Sequence, residues 1–160
     1  MNNIIIERLD INNITDIKEV TTIMYDWWGK EMGYSFDSVL EVIKSYCGND
    51  VLPIILVAKL SDNIVGTIGL VANDTQLRQD LFPFLTSLYV KEEYRNKNIG
   101  TKLVEELLNL ARPNFKKIYL MTSSQNYYEK FGFRYIETAK SYIIIPTNKI
   151  KENRLYEIDL

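Results

Sequence analysis

The stretch "VKEEYRNKNIGTKLVEELL", residues 90–108, joins an apolar segment to an amphipathic one through a basic turn. The segment before it, "FLTSLYV" at 84–90, has the β-branched and aromatic composition of a strand. After the turn, leucine and valine recur at the helical period. The turn itself contains Arg95, Lys97 and Gly100. Because the unpaired amides at a helix start attract anions, this stretch predicts an anion-binding strand–turn–helix unit.

Two known phosphate-binding motifs are excluded because the turn contains a single glycine. A Walker phosphate loop needs G-x-x-x-x-G-K-[ST], and "NKNIGTKL" supplies one glycine with no lysine directly after it. A dinucleotide fingerprint needs G-x-G-x-x-G, of which only Gly100 is present. A third interpretation is that main-chain N–H groups from 95 to 101 surround a pyrophosphate, helped by Arg95 and Lys97. The competing interpretation is a solvated basic turn that caps a helix.

Composition excludes several classes of function. The chain has 160 residues, of which 46% are hydrophobic, as in a globular protein with one sizeable core. A net charge of −2 argues against a nucleic-acid partner. There is no histidine, and one cysteine, Cys47, can form neither an internal disulfide nor a cysteine cluster. No metal cofactor is therefore expected, and acid–base chemistry must use carboxylates, tyrosine, lysine, Cys47 or water.

The chain shows no repeat and no linker, so a single domain spanning residues 1–160 is expected. Its N-terminus lacks a signal-peptide pattern and its apolar runs are too short to span a bilayer, which predicts a cytoplasmic protein without a membrane partner. The patterning predicts a mixed α/β chain in the order β-α-α-β-β-β-α-β-α-β-β on one central sheet. Near the C-terminus it predicts a short helix at "QNYYEKFG" and strands at "FRYIET", "SYIII" and "RLYEIDL".

A second motif, "NYYEKFGF" at 126–133, favours the anion-binding interpretation of the basic turn. Together the two motifs resemble the GNAT superfamily of acetyl-CoA-dependent N-acetyltransferases. Residues 95–100, "RNKNIG", resemble the family's acetyl-CoA motif Q/R-x-x-G-x-G/A, and residues 127–133, "YYEKFGF", resemble its "FYEKxGF" signature. The chain departs from the family at Asn98, where the first motif glycine is usual. Asparagine tolerates positive φ, so the turn is expected to keep its shape.

The resemblance is strong across 84–138 and implies both a fold and an activity. The implied fold is a GNAT fold, a twisted, mixed, mostly antiparallel central sheet with helices on both faces. The implied activity is transfer of an acetyl group from acetyl-CoA to a primary amine of a small molecule or peptide, by direct attack and without a metal.

The resemblance also implies roles for individual residues. In the family, the strand before the loop is splayed from its neighbour, and its amides bind the pantetheine arm and the acetyl carbonyl. Those positions are Leu88, Tyr89 and Val90 here, with Leu88 as the catalytic carbonyl contact. Diphosphate contacts fall on Arg95, Asn96, Lys97, Asn98, Ile99, Gly100 and Thr101.

Two further roles follow from the signature. Tyr128 matches the tyrosine that acts as general acid toward the CoA sulfur, a role that suits a phenol because its unperturbed pKa of about 10 is close to that of a thiol. Asn126 is implied to bind the pantetheine amide. The alternative for Tyr128 is a core aromatic, and for Leu88 and Val90 ordinary strand packing.

The acceptor groove in this family is lined by the first two helices and their connection. Here that segment offers an aromatic wall of Trp27, Trp28 and Tyr34, together with Phe36. Three acidic residues in the same segment could attract an ammonium group: Asp26, Glu31 and Asp37. The combination favours a small amine or polyamine. The alternative is that both tryptophans belong to the core.

Two other classes of function stay open at this point. One is a non-catalytic acyl-CoA-binding module. The other is an interaction protein whose strands "SYIIIP" and "RLYEIDL" pair with another subunit, and a homodimer is possible in either case. No general base identifies itself, and Cys47 is expected to fill a core rather than act as a nucleophile.

Overall fold

The structure is a computed structural model that describes residues 3–48, 50–143 and 149–160. It contains a seven-stranded sheet in the order β1-β2-β3-β4-β5-β7-β6. The strands are β1 (Ile5–Arg8), β2 (Ile54–Leu60), β3 (Asn63–Val71), β4 (Phe84–Val90), β5 (Lys117–Thr122), β6 (Arg134–Ile143) and β7 (Lys149–Asp159). The α-helices are α1 (Ile14–Met24), α2 (Phe36–Ser45) and α3 (Ile99–Ala111).

The sheet is mixed and mostly antiparallel, as predicted. Among the described strands, β4 and β5 form the parallel pair, and every other neighbouring pair is antiparallel. No helix in the described part of the chain is both long enough and apolar enough to cross a bilayer.

The alternation of side chains along β2 explains why helices cover both faces of the sheet. Ile54 and Leu56 pack into the cluster that contains the buried side of α3. Ile55 and Val57, which point the other way, pack into the cluster formed by α1 and α2. An uninterrupted apolar strand is the pattern expected of a strand buried on both faces. The prediction of helices on both faces is thereby confirmed.

Local signals fix the starts of the first two helices. In the sequence, Asn13 stands directly before an apolar segment of helical period, as a helix cap does, and its side chain accepts a hydrogen bond of 3.1 Å from the Asp16 amide at the start of α1. The Ser35 hydroxyl accepts a similar bond of 3.1 Å from the Ser38 amide at the start of α2. The sequence pattern predicts that the first helix continues to Trp28, but the α-helix ends at Met24 and a π-helical turn follows over Tyr25–Gly29.

Two predictions near the C-terminus are wrong in detail. The segment "QNYYEKFG" forms only a 3₁₀ turn over Glu129–Phe131, because Asn126 (φ 62°) and Gly132 (φ 99°) turn the chain at both ends. The strands predicted at "FRYIET" and "SYIII" are one strand, β6, since β7 is long enough to pair along all of it. The last two residues of "SYIII" lie outside the described residues.

Candidate active site

Two cavities share the side chain of Trp27 as a common wall. The first, here called the turn cavity, has a volume of about 480 Å³ and is lined by the end of β4, the basic turn and the tyrosine pair of the second motif. The second, the aromatic cavity, has a volume of about 470 Å³ and is lined by the α1–α2 region, the loop after β3 and the middle of β4. Volumes of this order are ordinary for small-molecule and cofactor sites.

A β-bulge in β4 separates the residues that serve the two cavities. The pairing of β3 with β4 shifts register between Thr67 and Gly69, and Ser87 on β4 has a φ of 55°. The Thr67 hydroxyl donates a hydrogen bond of 2.8 Å to the Ser87 carbonyl and holds the bulge in place. Bulges of this kind redirect the residues that follow them, and they are enriched beside active sites.

The amides of β4 beyond the bulge face the turn cavity. After the bulge the Lys91 amide donates to the Val65 carbonyl of β3 at 2.9 Å. Because successive N–H groups of a strand point to opposite edges, Leu88 and Val90 direct theirs away from β3. On that side the described residues pair β4 with β5 at Phe84 alone, so the strands separate as the family resemblance implies. The gap exposes two amides to whatever occupies the turn cavity.

The basic turn presents further amides at the start of α3. Asn98 adopts the left-handed conformation, with φ 61° and ψ 12°, so asparagine replaces the motif glycine in the geometry expected of it. Asn96 is also left-handed, with φ 62°. The first intrahelical bond runs from the Lys102 amide to the Asn98 carbonyl at 3.0 Å, which leaves the amides of the first helical turn without helical acceptors. Such a turn is an anion-binding concavity.

The two cations of the turn are anchored without being neutralised. Arg95 donates through Nε to the Val90 carbonyl at 3.0 Å and lies 5.9 Å from the centre of the Tyr89 ring. Lys97 donates to the Glu93 carbonyl at 3.1 Å. Within the described residues, neither side chain pairs with a carboxylate. Their charge therefore stays available to an anion.

Gly100 allows the tyrosine pair to approach the turn. A Cβ atom at this position would lie 2.6 Å from the Tyr127 hydroxyl oxygen, closer than real side chains tolerate. Lys130 then bridges the same two elements, since its Nζ donates to the Thr101 hydroxyl at 3.1 Å and lies 4.5 Å from the centre of the Tyr127 ring. The second motif is thus fixed against the first by direct contact.

Tyr128 is both a core residue and a wall of the turn cavity. It is 9% exposed, with its ring in edge contact with Tyr127 at 5.0 Å and with Phe133 at 5.8 Å. Burial raises the pKa of its phenol well above the usual value, so the hydroxyl is protonated at neutral pH. The unperturbed pKa of about 10 therefore does not describe this phenol.

Trp27 is not a core residue, which overturns the alternative in which both tryptophans are buried. It is 43% exposed, and its ring lies 5.0 Å from that of Tyr89, between the two cavities. Trp28 lines the aromatic cavity, packs against the α1–α2 core and meets the edge of Tyr34 at 5.8 Å. The predicted aromatic wall exists, except that Phe36 packs against Tyr25 instead.

The carboxylate of the aromatic cavity comes from a residue that the sequence patterns do not single out. Asp74, on the loop after β3, lines the cavity, and the Thr86 hydroxyl of β4 donates to its Oδ1 at 3.0 Å. Loss of hydration in the surrounding protein raises the Asp74 pKa to about 6, although the hydrogen bond from Thr86 lowers it. Only the folded chain brings this loop to β4, so no local motif could have revealed the pair.

The acidic residues predicted for the groove do not line it. Asp26, Glu31 and Asp37 are absent from the described walls of both cavities. Asp26 instead forms an exposed ion pair of 2.5 Å with Lys30, four residues along the chain. Their short distance from the tryptophans in sequence misled the prediction, because neighbouring residues of a helix or turn direct their side chains to different sides.

Most residues predicted to bind the cofactor line the turn cavity. These are Leu88, Tyr89, Val90, Arg95, Asn96, Asn98, Ile99, Gly100 and Thr101. Lys97 and Asn126 are not among the lining residues, and their contacts stay predictions. Tyr94, Ser124, Tyr127 and Lys130 also line this cavity without having been predicted as contacts, although Tyr127 and Lys130 belong to the second motif. Within the described residues no three histidine, cysteine, aspartate or glutamate side chains are grouped as a metal site requires.

Amides of a strand and of a helix start thus line one cavity beside a buried tyrosine in an α/β fold, an arrangement that suits an anionic ligand. Residues 21–133 match the sequence model of the Acetyltransferase (GNAT) family. Because that match covers more than half of the chain, the chain belongs to the GNAT family.

Individual relatives agree with this membership. The chain is 34% identical over 103 residues to N-alpha-acetyltransferase 50 of Danio rerio, a match that covers 58% of this chain and 60% of that protein. A GNAT-family acetyltransferase from Staphylococcus aureus Mu50 has a similar structure, with a TM-score of 0.68 and 28% identity over 99% of both chains. An aminoglycoside 6'-N-acetyltransferase complexed with coenzyme A shares the fold, with a TM-score of 0.72 and 22% identity over 97% of this chain and 96% of the other.

Proposed function

We propose that this protein transfers an acetyl group from acetyl-CoA to the primary amine of a small molecule, by direct attack and with Tyr128 as the general acid. The observation that carries the proposal is the convergence of the β4 amides, the basic turn and Tyr128 on the turn cavity, with the aromatic cavity beyond Trp27. One cavity suits the acyl donor and the other suits the acceptor.

The amides and cations account for binding of the donor. The diphosphate of acetyl-CoA would accept hydrogen bonds from the amides at the start of α3, and Arg95 would add charge. The pantetheine arm would run along the exposed edge of β4, where the Val90 amide is available. At its end, the Leu88 amide would donate to the acetyl carbonyl oxygen. A donor fixed at that oxygen stabilises the negative charge that develops there during attack.

The reaction then needs one nucleophilic attack and two proton movements. The neutral amine nitrogen forms a bond to the acetyl carbon, and the carbonyl electrons move to the oxygen beside the Leu88 amide. When this intermediate collapses, the carbon–sulfur bond breaks and the sulfur leaves with its electron pair. The nitrogen loses a proton to water, and the sulfur receives one from the general acid.

Tyr128 suits the second proton movement because it is protonated and lines the cavity. With its pKa raised by burial, full transfer of the proton to a thiolate is uphill. The phenol therefore acts first as a hydrogen-bond donor to the developing thiolate, and a proton drawn from water replaces the one it gives up.

The proposed direct attack agrees with the position of the cysteine. Cys47 lines neither cavity among the described residues, and its thiol donates to the Ile43 carbonyl at 3.3 Å. Burial raises the pKa of this thiol to about 11, with a smaller contribution from Asp10, so little thiolate exists at neutral pH. An acetyl-cysteine intermediate has no support here.

The relatives point to two kinds of amine acceptor. The name of the Danio rerio protein indicates an α-amine, while that of the structural neighbour indicates an aminoglycoside. A small molecule is preferred for this chain because the aromatic cavity is walled by α2, the loop after β3, β4 and Ser141 of β6. A cytoplasmic location and a homodimer stay predictions of the sequence.

Calorimetric titration with acetyl-CoA tests the donor half of the proposal, with ATP and NADH as controls. Saturable one-to-one binding of acetyl-CoA alone is expected. Release of CoA thiol over a panel of amines and an N-terminal peptide then tests the transfer. Binding without turnover of any acceptor would favour the non-catalytic module, and absence of binding by a folded protein would refute the proposal as a whole.

A further inference from the structure

Asp74 stands apart from the other walls of the aromatic cavity because of its charge. Among the described residues that line this cavity it is the one ionisable carboxylate, and no lysine or arginine accompanies it. Its Oδ1 accepts the Thr86 bond, which fixes the orientation of the carboxyl group and leaves Oδ2 for another donor. The described ion pairs include none that involves Asp74.

The aromatic rings around Asp74 favour a cationic ligand over a neutral one. Trp27, Trp28, Tyr34 and Tyr46 all line the cavity, and the faces of such rings attract organic cations. A ligand that carried a carboxylate would meet Asp74 with no cation to offset the repulsion. The cavity therefore selects amines that have no acidic group.

The position of Asp74 along β4 separates it from the reacting atoms. Its partner Thr86 lies two residues before Leu88, and with the bulge at Ser87 between them the two positions are roughly 5–7 Å apart. A reacting nitrogen must come within about 3–3.5 Å of the acetyl carbon. A nitrogen held by the Leu88-bound acetyl group and a nitrogen held by Asp74 are therefore two different atoms. About three or four methylene groups span the distance between them.

We propose that the Asp74 carboxylate, oriented by Thr86, binds a second, non-reacting ammonium group of the acceptor, so that the preferred acceptors are diamines and polyamines. This inference rests on the proposed function, because it uses the acetyl position beside Leu88. Asp74 is a positioning residue here and takes no part in bond making.

The raised pKa of Asp74 agrees with this role. Transfer of an ionised carboxylate from water into a walled cavity is unfavourable, and a bound ammonium group compensates for the lost hydration. Two other titratable groups line the cavity with Asp74. They are Tyr34, just before α2, and Tyr46, at its end. The Tyr46 pKa is raised chiefly by burial and then by the negative charge of Asp74, so the Tyr46 phenol stays neutral near pH 7.

The test compares three acceptors of similar length, which are 1,4-diaminobutane, 1-aminobutane and ornithine. For the native protein we expect kcat/KM for 1,4-diaminobutane to exceed that for each of the other two by about tenfold or more, mainly through KM, as the loss of one charge-assisted contact predicts. The variant Asp74→Asn should lose this preference. Thr86→Val, which removes the orienting hydroxyl, should reduce it.

A matched control shows whether the effect depends on the Asp74 carboxylate itself or on the loss of any one negative charge. Asp62 lies in the β2–β3 turn with φ 67°, a conformation that asparagine also adopts, and it lines neither cavity. The variant Asp62→Asn should keep the full preference for 1,4-diaminobutane. Equal kcat/KM for 1,4-diaminobutane and 1-aminobutane in the native protein, or a preference that survives in Asp74→Asn, would overturn the inference.

A binding measurement distinguishes failure of the inference from failure of the proposed function. Calorimetry with 1,4-diaminobutane in the presence of CoA reports the Asp74 contact without any turnover. Asp74-dependent binding with no acetylation would support the cation site and refute the transferase. Acetylation of amines with no dependence on Asp74 would support the transferase and refute the cation site.

Discussion

The turn cavity and the aromatic cavity have similar volumes and share Trp27, yet the chain builds them in different ways. Most residues that line the turn cavity belong to the continuous stretch 88–101, which offers backbone amides of β4 and of the α3 start and contains the left-handed Asn96 and Asn98. The aromatic cavity consists of side chains from elements far apart in the sequence. A site made of backbone tolerates changes of side chain such as asparagine for glycine at position 98. A site made of side chains depends on each of them.

The largest effect is expected for Tyr128→Phe, which removes one side-chain hydroxyl from the turn cavity. The ring and its packing against Tyr127 and Phe133 remain, so we expect acetyl-CoA affinity to change by less than about threefold while kcat falls about 100-fold. Calorimetry and steady-state kinetics measure the two quantities. An unchanged kcat would remove Tyr128 from the mechanism and leave it a core aromatic.

The next test disturbs the close contact between the backbone at Gly100 and the side chain of Tyr127. Gly100→Ala places a methyl group against the Tyr127 hydroxyl, and we expect the dissociation constant for acetyl-CoA to rise about tenfold because the turn must shift. In the double variant with Tyr127→Phe the clashing oxygen is gone, and the nearest ring carbon lies 3.9 Å from the new Cβ. Affinity should then recover. A double variant as weak as Gly100→Ala would show that the methyl group obstructs the ligand rather than Tyr127.

A smaller effect is expected at the wall common to both cavities. Trp27→Ala should raise KM for acetyl-CoA and for the amine together, each by about fivefold, because exposed aromatic contacts of this kind contribute modestly. Trp28→Ala is the matched control, since Trp28 lines the aromatic cavity alone and packs against the core. It should affect only the amine KM and should lower the melting temperature more. Identical kinetic profiles for the two variants would mean that Trp27 does not separate two sites.

The smallest expected effect concerns stability. The pKa of Asp74 is about 6 in the folded protein against an ordinary value of 3.8, so its contribution to stability is complete below pH 3.8 and is lost as the pH rises through 6. Asp74→Asn does not titrate there. Although protein surrounds much of the Asp74 carboxyl group, the residue is still exposed at the cavity surface. Solvent screening therefore reduces the effect, and the variant should melt only about 2 °C above the native protein at pH 7.5. The difference should disappear at pH 4, as thermal melts at the two pH values would show. A variant less stable at pH 7.5 would contradict the raised pKa.

The same difference between the two cavities explains which features could be predicted from the sequence. The basic turn, the caps at Asn13 and Ser35 and the strand beside the turn follow from short-range rules of conformation, so a single chain suffices to predict them. The Asp74–Thr86 pair joins a loop to a strand 12 residues later. Neither residue has a local pattern that marks it.

Errors in the sequence analysis have the same origin. Asp26 lies next to Trp27, yet successive side chains of a helical turn point in clearly different directions. The short helix predicted at "QNYYEKFG" failed because Asn126 turns the backbone at its start, a conformation that the periodicity of apolar residues does not report.

The π-helical turn over Tyr25–Gly29 has a consequence for how this protein could diversify. Its hydrogen bond from the Lys30 amide to the Tyr25 carbonyl, 2.9 Å long, encloses one residue more than an α-helical turn would. That extra residue decides which way the two tryptophans face. Deletion of a single codon here would rewind the segment as an α-helix and move both rings around its axis, while the sheet and the basic turn kept their shapes. The gain or loss of one residue here would thus reshape the aromatic cavity and, through Trp27, one wall of the turn cavity, while the amides of the basic turn stayed in place.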